Sequence, residues 1–135
     1  PREAPVEEIR FERQRFIWPF KGPVKTRFGI QPNGLNANGI EIEAREDTPV
    51  LAAAGGTVIF SDTLKDYGET IILKHDDEFK TVYIHLKERQ VHRDRRVKRG
   101  EQIALIGKPE KKREPYWNFE IRYKNKARNP MFFLP

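Results

Sequence analysis

At 135 residues the chain has the length of one compact domain, enough to bury a core and too little to divide into two. It has no cysteine, which excludes disulfides and thiolate metal sites, and no apolar run of the roughly 18 residues that a membrane-crossing helix needs. Lys and Arg outnumber Asp and Glu by 26 to 20, giving +6, but no helix-turn-helix pattern or RNA-binding aromatic motif accompanies that charge, so nucleic acid is not an expected partner.

The first fifteen residues are polar and charged, with Glu7-Glu8 and Glu12-Arg13 surrounding the isolated apolar Ile9 and Phe11. Residues 1–15 therefore read as a linker or the end of an upstream helix. The chain begins at Pro1 with no Met and no basic-then-apolar leader, and is expected to be part of something longer. From Phe16 the texture changes. Short runs rich in Val, Ile, Phe, Tyr and Thr alternate with Gly, Pro, Asn and Asp clusters, which is the pattern of many short strands joined by turns. Residues 16–135 are expected to form an all-β domain, mostly antiparallel, with no helix beyond a turn or two.

In chain order the predicted strands are Lys25 to Phe28, Gly39 to Glu43, Pro49 to Ala52, Gly56 to Ser61, Glu69 to His75, Phe79 to His85, Glu101 to Gly107 and Trp117 to Tyr123. Asp76-Asp77-Glu78 is short enough to make the fifth and sixth an antiparallel hairpin, with His75 and His85 at opposite ends of the pair. In the sixth, Val82 and Ile84 should share one face while Thr81, Tyr83 and His85 take the other. His75 and His92 are expected at the surface, one at a turn and one in a basic loop. The basic stretches Lys87 to Arg99 and Lys108 to Arg113 read as solvated loops, and Gly55-Gly56 as a tight strand connection.

Near the C-terminus, Pro115-Tyr116-Trp117-Asn118-Phe119-Glu120-Ile121 resembles the Pro-His-Leu-His-Phe-Glu-Ile signature of lysostaphin-type (LytM-type) zinc endopeptidases, with Tyr116 and Asn118 in place of both histidines. The resemblance extends in order and spacing from Trp18 to Pro135. It runs through Arg27-Phe28-Gly29, Gly39-Ile40-Glu41-Ile42, Thr48 to Val58, Tyr67-Gly68, Thr81-Val82-Tyr83-Ile84-His85-Leu86, Val97 to Ala104 and Asn129-Pro130. It implies the groove fold of that family, built from antiparallel sheets.

Active members hold zinc through a His-x-x-x-Asp pair and the second His of His-x-His, leaving a position open for water. Carried onto this chain, the ligand positions fall on Ala37, Glu41 and Asn118, and only Glu41 could bind a metal. No histidine precedes His75, so a shift of register does not recover the first ligand. A carboxylate beside an alanine and a carboxamide is not a tetrahedral zinc donor set. The resemblance therefore implies a degenerate member with no catalytic residues, no metal and no cofactor.

His85 matches the family's histidine in Tyr-x-His-Leu, which in active members lies near the metal-bound water. Here it is expected to pack or hydrogen-bond, or else to touch a partner. Trp117 is expected in the core. Tyr116 is open to a binding or a structural role, and Glu41 is either a groove carboxylate or a solvated strand residue. Degenerate domains of this family occur in activators of the zinc N-acetylmuramoyl-L-alanine amidases that split septal peptidoglycan. The implied function is thus to bind and activate such an amidase in cell division, in the periplasm or cell envelope of a bacterium, through a groove around Glu41, His85, Tyr116 and Asn118. The alternative is a non-enzymatic cell-wall binding or envelope scaffold module, its basic loops holding anionic wall polymers, with peptidoglycan a candidate, or another envelope protein.

Overall fold

The computed structural model describes residues 14–109 and 114–135. Most of the expected linker, and the end of the Lys108 to Arg113 basic stretch, lie outside the described residues. Twelve strands and one short 3-10 helix are present among the described residues: β1 Val24–Thr26, β2 Gly29–Ile30, β3 Asn36–Ala37, β4 Glu41–Ile42, β5 Pro49–Leu51, β6 Gly56–Leu64, β7 Gly68–Lys74, β8 Phe79–Arg89, β9 Arg96–Val97, β10 Gln102–Ile106, β11 Phe119–Tyr123, β12 Lys126–Arg128 and the helix Pro130–Phe132. All eight predicted strands exist, with shifted ends. β2, β3, β9 and β12 were not expected, because two- or three-residue strands carry no periodicity to read.

The main sheet runs β12-β11-β8-β7-β6-β9, and every pairing is antiparallel. The expected hairpin is β7 and β8, with Ile72 opposite Val82 and Lys74 opposite Lys80. β8 is longer than predicted because it continues past His85. Its first half pairs with β11, through Phe79 to Tyr83, and its second with β10, through Leu86 to Arg89. His85 lies at the change of partner, in the left-handed region at φ 59°. The register on the β7 side slips there as well, as in a β-bulge, which bends a strand and re-aims a side chain.

Alternation along the strands divides the apolar residues between the two faces. Phe16, Phe20, Ile71, Leu73, Tyr83, Ile103, Phe119 and Ile121 belong to the main core, closed by the C-terminal Phe133 and Leu134. Phe16 is fully buried and packs edge-on against Phe79 and Phe133. Arg15 belongs to the folded body as well, with its guanidinium 4.2 Å from the Phe79 ring centroid and 2.6 Å from Asp77. On the opposite face Ala37, Val82, Ile84 and Trp117 form a smaller cluster against which Tyr67 and Ile72 pack. Gly39 is where the two-stranded outer sheets meet β11. A Cβ there would run into the Phe119 carbonyl and come within 2.9 Å of the Glu120 side chain, so only glycine allows the approach.

Candidate functional site

The change of partner along β8 opens a gap in the sheet edge, and the segment before β11 fills it. The Ile84 N–H donates to the Asn118 carbonyl at 3.1 Å and the Gly107 N–H to the His85 carbonyl at 3.1 Å, so both continuations remain stitched to β8. The Asn118 N–H in turn donates to the Ile40 carbonyl at 3.0 Å. Asn118 thereby bridges β8 and the segment holding Glu41.

The Asn118 side chain does more. Its Oδ1 accepts from the Ile42 N–H at 3.0 Å and its Nδ2 donates to the Ile42 carbonyl at 2.9 Å. On its other edge β4 pairs with β1, so the carboxamide acts as the missing strand neighbour of Ile42. A carboxamide can do this because its donor and acceptor sit side by side, as the N–H and carbonyl of one residue do along an extended strand. An imidazole, whose nitrogens point apart, cannot.

Tyr116 is buried, and its ring lies 4.3 Å from that of His85 at an interplanar angle of 19°, a stacked pair. The left-handed backbone at His85 is uncommon for a residue with a Cβ, and the bulge directs the imidazole onto Tyr116. Glu41 is buried too, accepting from the Thr26 hydroxyl at 3.2 Å, so of its two expected roles the solvated strand residue does not hold. Ala37 is fully buried beside Trp117. Trp117 is in the core as expected, and its indole N–H donates to Glu120 at 2.6 Å, whose other carboxylate oxygen accepts from Arg122 at 2.9 Å. The four expected groove residues thus lie around one seam, with His85 the half-buried one and Glu41, Tyr116 and Asn118 beneath the surface.

This donor set does not fit the zinc that the fold family implies. Ala37 has no donor atom, and both amide atoms of Asn118 are committed to Ile42. Among the described residues no three His, Cys, Asp or Glu side chains lie together as a metal site would need.

His75, expected at the surface, is instead 8% exposed. Its Nδ1 lies 2.8 Å from the Gly55 carbonyl, which can only accept, so Nδ1 carries the proton. The remaining bonds then have one direction: the Ala53 N–H donates to the Tyr83 hydroxyl, Tyr83 to Thr81, and Thr81 to His75 Nε2, at 3.0, 2.7 and 2.7 Å. Burial holds the His75 pKa below its ordinary value and pushes the Tyr83 phenol up. The sequence offered a signal that went unused: Thr81 and Tyr83 alternate on the same face, a place where a neighbouring histidine can be satisfied inside.

Comparison with known proteins agrees with this architecture. The family model described as Peptidase family M23 matches residues 36–130, and the chain belongs to that family. It is 33% identical to the cell division protein DipM of Caulobacter vibrioides, over all of this chain and 23% of that protein. It is 35% identical to the murein hydrolase activator NlpD of Escherichia coli, over 87% of this chain and 31% of that protein. The chain therefore spans less than a third of the length of either relative. The catalytic domain of lysostaphin from Staphylococcus simulans superposes with a TM-score of 0.71 at 21% identity, over 97% of this chain and 98% of that domain, which shows a shared fold.

Proposed function

We propose that this M23 domain is non-catalytic and binds and activates a peptidoglycan N-acetylmuramoyl-L-alanine amidase during cell division and separation, in the periplasm or cell envelope of a bacterium. The observation that carries the reading is the Asn118 carboxamide locked onto Ile42 where the family's zinc histidine would stand. The names of two relatives support it, one a murein hydrolase activator and one a cell division protein. The groove around Glu41, His85, Tyr116 and Asn118 captures an inhibitory segment of the amidase. Because the domain binds the open amidase better than the closed one, it shifts the population toward the open state.

The test is release of dye from labelled sacculi by a cognate zinc amidase, with and without this chain. Stimulation that saturates near one domain per amidase supports the reading, and no stimulation at any stoichiometry overturns it. A second reading, a passive wall-binding or scaffold module, is favoured by the open concavity at residues 95–101, where Arg96, Lys98 and Arg99 stand beside the Arg95–Glu101 ion pair. Sacculus pull-down that vanishes at high salt, with no effect on the amidase, would select it.

A further inference from the structure

Four cations from four different strands stand in one row across the sheet. Arg122 of β11 is directly opposite Lys80 of β8, Lys80 opposite Lys74 of β7, Lys74 opposite Thr57 of β6, and Thr57 opposite Arg96 of β9. Residues in register point to the same face, and at about 4.8 Å per strand the row spans roughly 19 Å. Like charges directly opposite one another cost stability, yet two such pairs are adjacent here.

Little offsets that cost. Among the described residues only Arg122 of the four has a carboxylate within ion-pair distance, the buried Glu120. The Lys80 ammonium rests on Asn125 Oδ1 at 2.7 Å, and Arg96 reaches the Thr57 hydroxyl at 3.5 Å. Asn125 is the second residue of the β11–β12 turn, where Lys124 and Asn125 both have positive φ, at 50° and 65°. That tight turn holds the acceptor in place, so the Lys80 charge is positioned by the fold.

Two residues further along β7 and β8, and three along β6 past a bulge, the same face carries a second row: Glu120 of β11, Val82 of β8, Ile72 of β7 and Phe60 of β6. Ile72 and Phe60 remain half-buried, and this row leads into the Ala37, Ile84 and Trp117 cluster at the seam described above. With Glu120 buried and held by Trp117 and Arg122, the sheet face is apolar along Val82, Ile72 and Phe60 and cationic along Lys80, Lys74 and Arg96.

We propose that this face docks an acidic amphipathic segment of a protein partner, its apolar side chains on the half-buried Phe60 and Ile72 and its carboxylates on Lys80, Lys74 and Arg96. The inference rests on the partner-binding reading and names the chemistry of the segment. A uniformly charged polyanion would match the cations but make no use of the apolar row. Both features together complement a segment with one acidic and one apolar side.

The experiment titrates the full 135-residue chain with two fluorescent probes, a synthetic 18-residue amphipathic helix of Leu and Glu and a poly-L-glutamate of equal charge, and adds a pull-down on purified sacculi. Reversing Lys74→Glu with Lys80→Glu is expected to weaken the amphipathic probe by about tenfold or more. Lys21→Glu with Lys65→Glu, the same charge change elsewhere on the surface, is expected to leave binding within about twofold. The neutral pair Lys74→Gln with Lys80→Gln, which removes the like-charge opposition, keeps the result interpretable if the reversed pair folds poorly.

Equal weakening by both reversed pairs, equal affinity for poly-L-glutamate, or no binding of the amphipathic probe overturns the proposal. Retention on sacculi that depends on Lys74 and Lys80, with no binding of the peptide, also overturns it in favour of a wall polymer. The amidase assay separates the two readings: if the native chain stimulates and the Lys74/Lys80 variants stimulate equally, the docking face fails while the activator reading stands. If the native chain does not stimulate yet binds the peptide through Lys74 and Lys80, the reverse holds.

Discussion

The Asn118 strap makes the sharpest prediction, because its two bonds satisfy two buried backbone groups at once. Asn118→Leu keeps the approximate volume and removes both partners of Ile42, whose N–H and carbonyl otherwise face the carboxamide at 3.0 and 2.9 Å. Orphaning a buried polar group costs about 1–3 kcal/mol, so the pair amounts to about 2–6 kcal/mol, a large part of a small domain's stability. Urea unfolding followed by tryptophan fluorescence measures this directly, since Trp117 adjoins the site.

Asn118→Asp supplies a second signature. Its carboxylate would set an acceptor against the Ile42 carbonyl, whereas the protonated acid offers the same donor and acceptor pair as the carboxamide. Burial facing a carbonyl raises the folded-state pKa of that acid above its unfolded value, so the protonated form favours the folded chain. The deficit relative to the native chain, compared at each pH, should therefore shrink as pH falls through the raised pKa. A loss below about 0.5 kcal/mol for Asn118→Leu, at the bottom of the range for one hydrogen bond, would refute the strap. So would an Asn118→Asp deficit independent of pH.

Two further predictions concern the histidines. The depressed pKa of His75 means that the unfolded chain takes up a proton first as pH drops, so stability should hold above the unfolded value of about 6.5 and fall as the pH goes below it through the folded value. Urea midpoints between pH 8 and pH 5 check this, and His75→Gln should remove that component of the slope; an unchanged slope would assign the dependence to other groups. At His85, Ala and Gly both delete the stack on Tyr116, but only Gly relieves the left-handed backbone at φ 59°, so His85→Gly should be more stable than His85→Ala by about 1 kcal/mol. Equal stability of the two in thermal unfolding would show that the bulge relaxes when the ring is gone.

The strands that alternate over five or more residues were legible from sequence, because β6, β7, β8 and β11 bury one set of side chains and the pattern survives without a partner. The two- and three-residue strands were not, since only their neighbours define them. His75 was misplaced because a histidine at a strand end before Asp76 looks solvated, and nothing local reveals that Gly55 and Thr81 converge on its two nitrogens. The cation row was invisible for the same reason. Lys74, Lys80, Arg96 and Arg122 are unremarkable in four separate segments, and only register sets them side by side. The charge that stood out in sequence, Lys87 to Arg99, is partly spent: Lys87 lies 3.1 Å from Glu46 and 2.9 Å from Asp47, Arg89 2.7 Å from Glu69, and Arg95 2.6 Å from Glu101.

The three residues expected at ligand positions were legible as residue types but not as what those residues do. Ala37 is closed into the cluster with Val82, Ile84 and Trp117, Glu41 accepts from Thr26, and Asn118 completes the pairing of β4. Each therefore has a structural reason to remain as it is. A histidine at 37 would have to enter a filled apolar cluster, and one at 118 would strand both polar groups of Ile42, so each such substitution carries a folding penalty before any metal binds. Substituting one position alone would incur that penalty and still leave fewer than the three ligands that a catalytic zinc site uses. A domain in this state can drift in its surface charges far more readily than back toward the ligand set, and the face that adjoins the seam is where a partner-binding role would leave its mark.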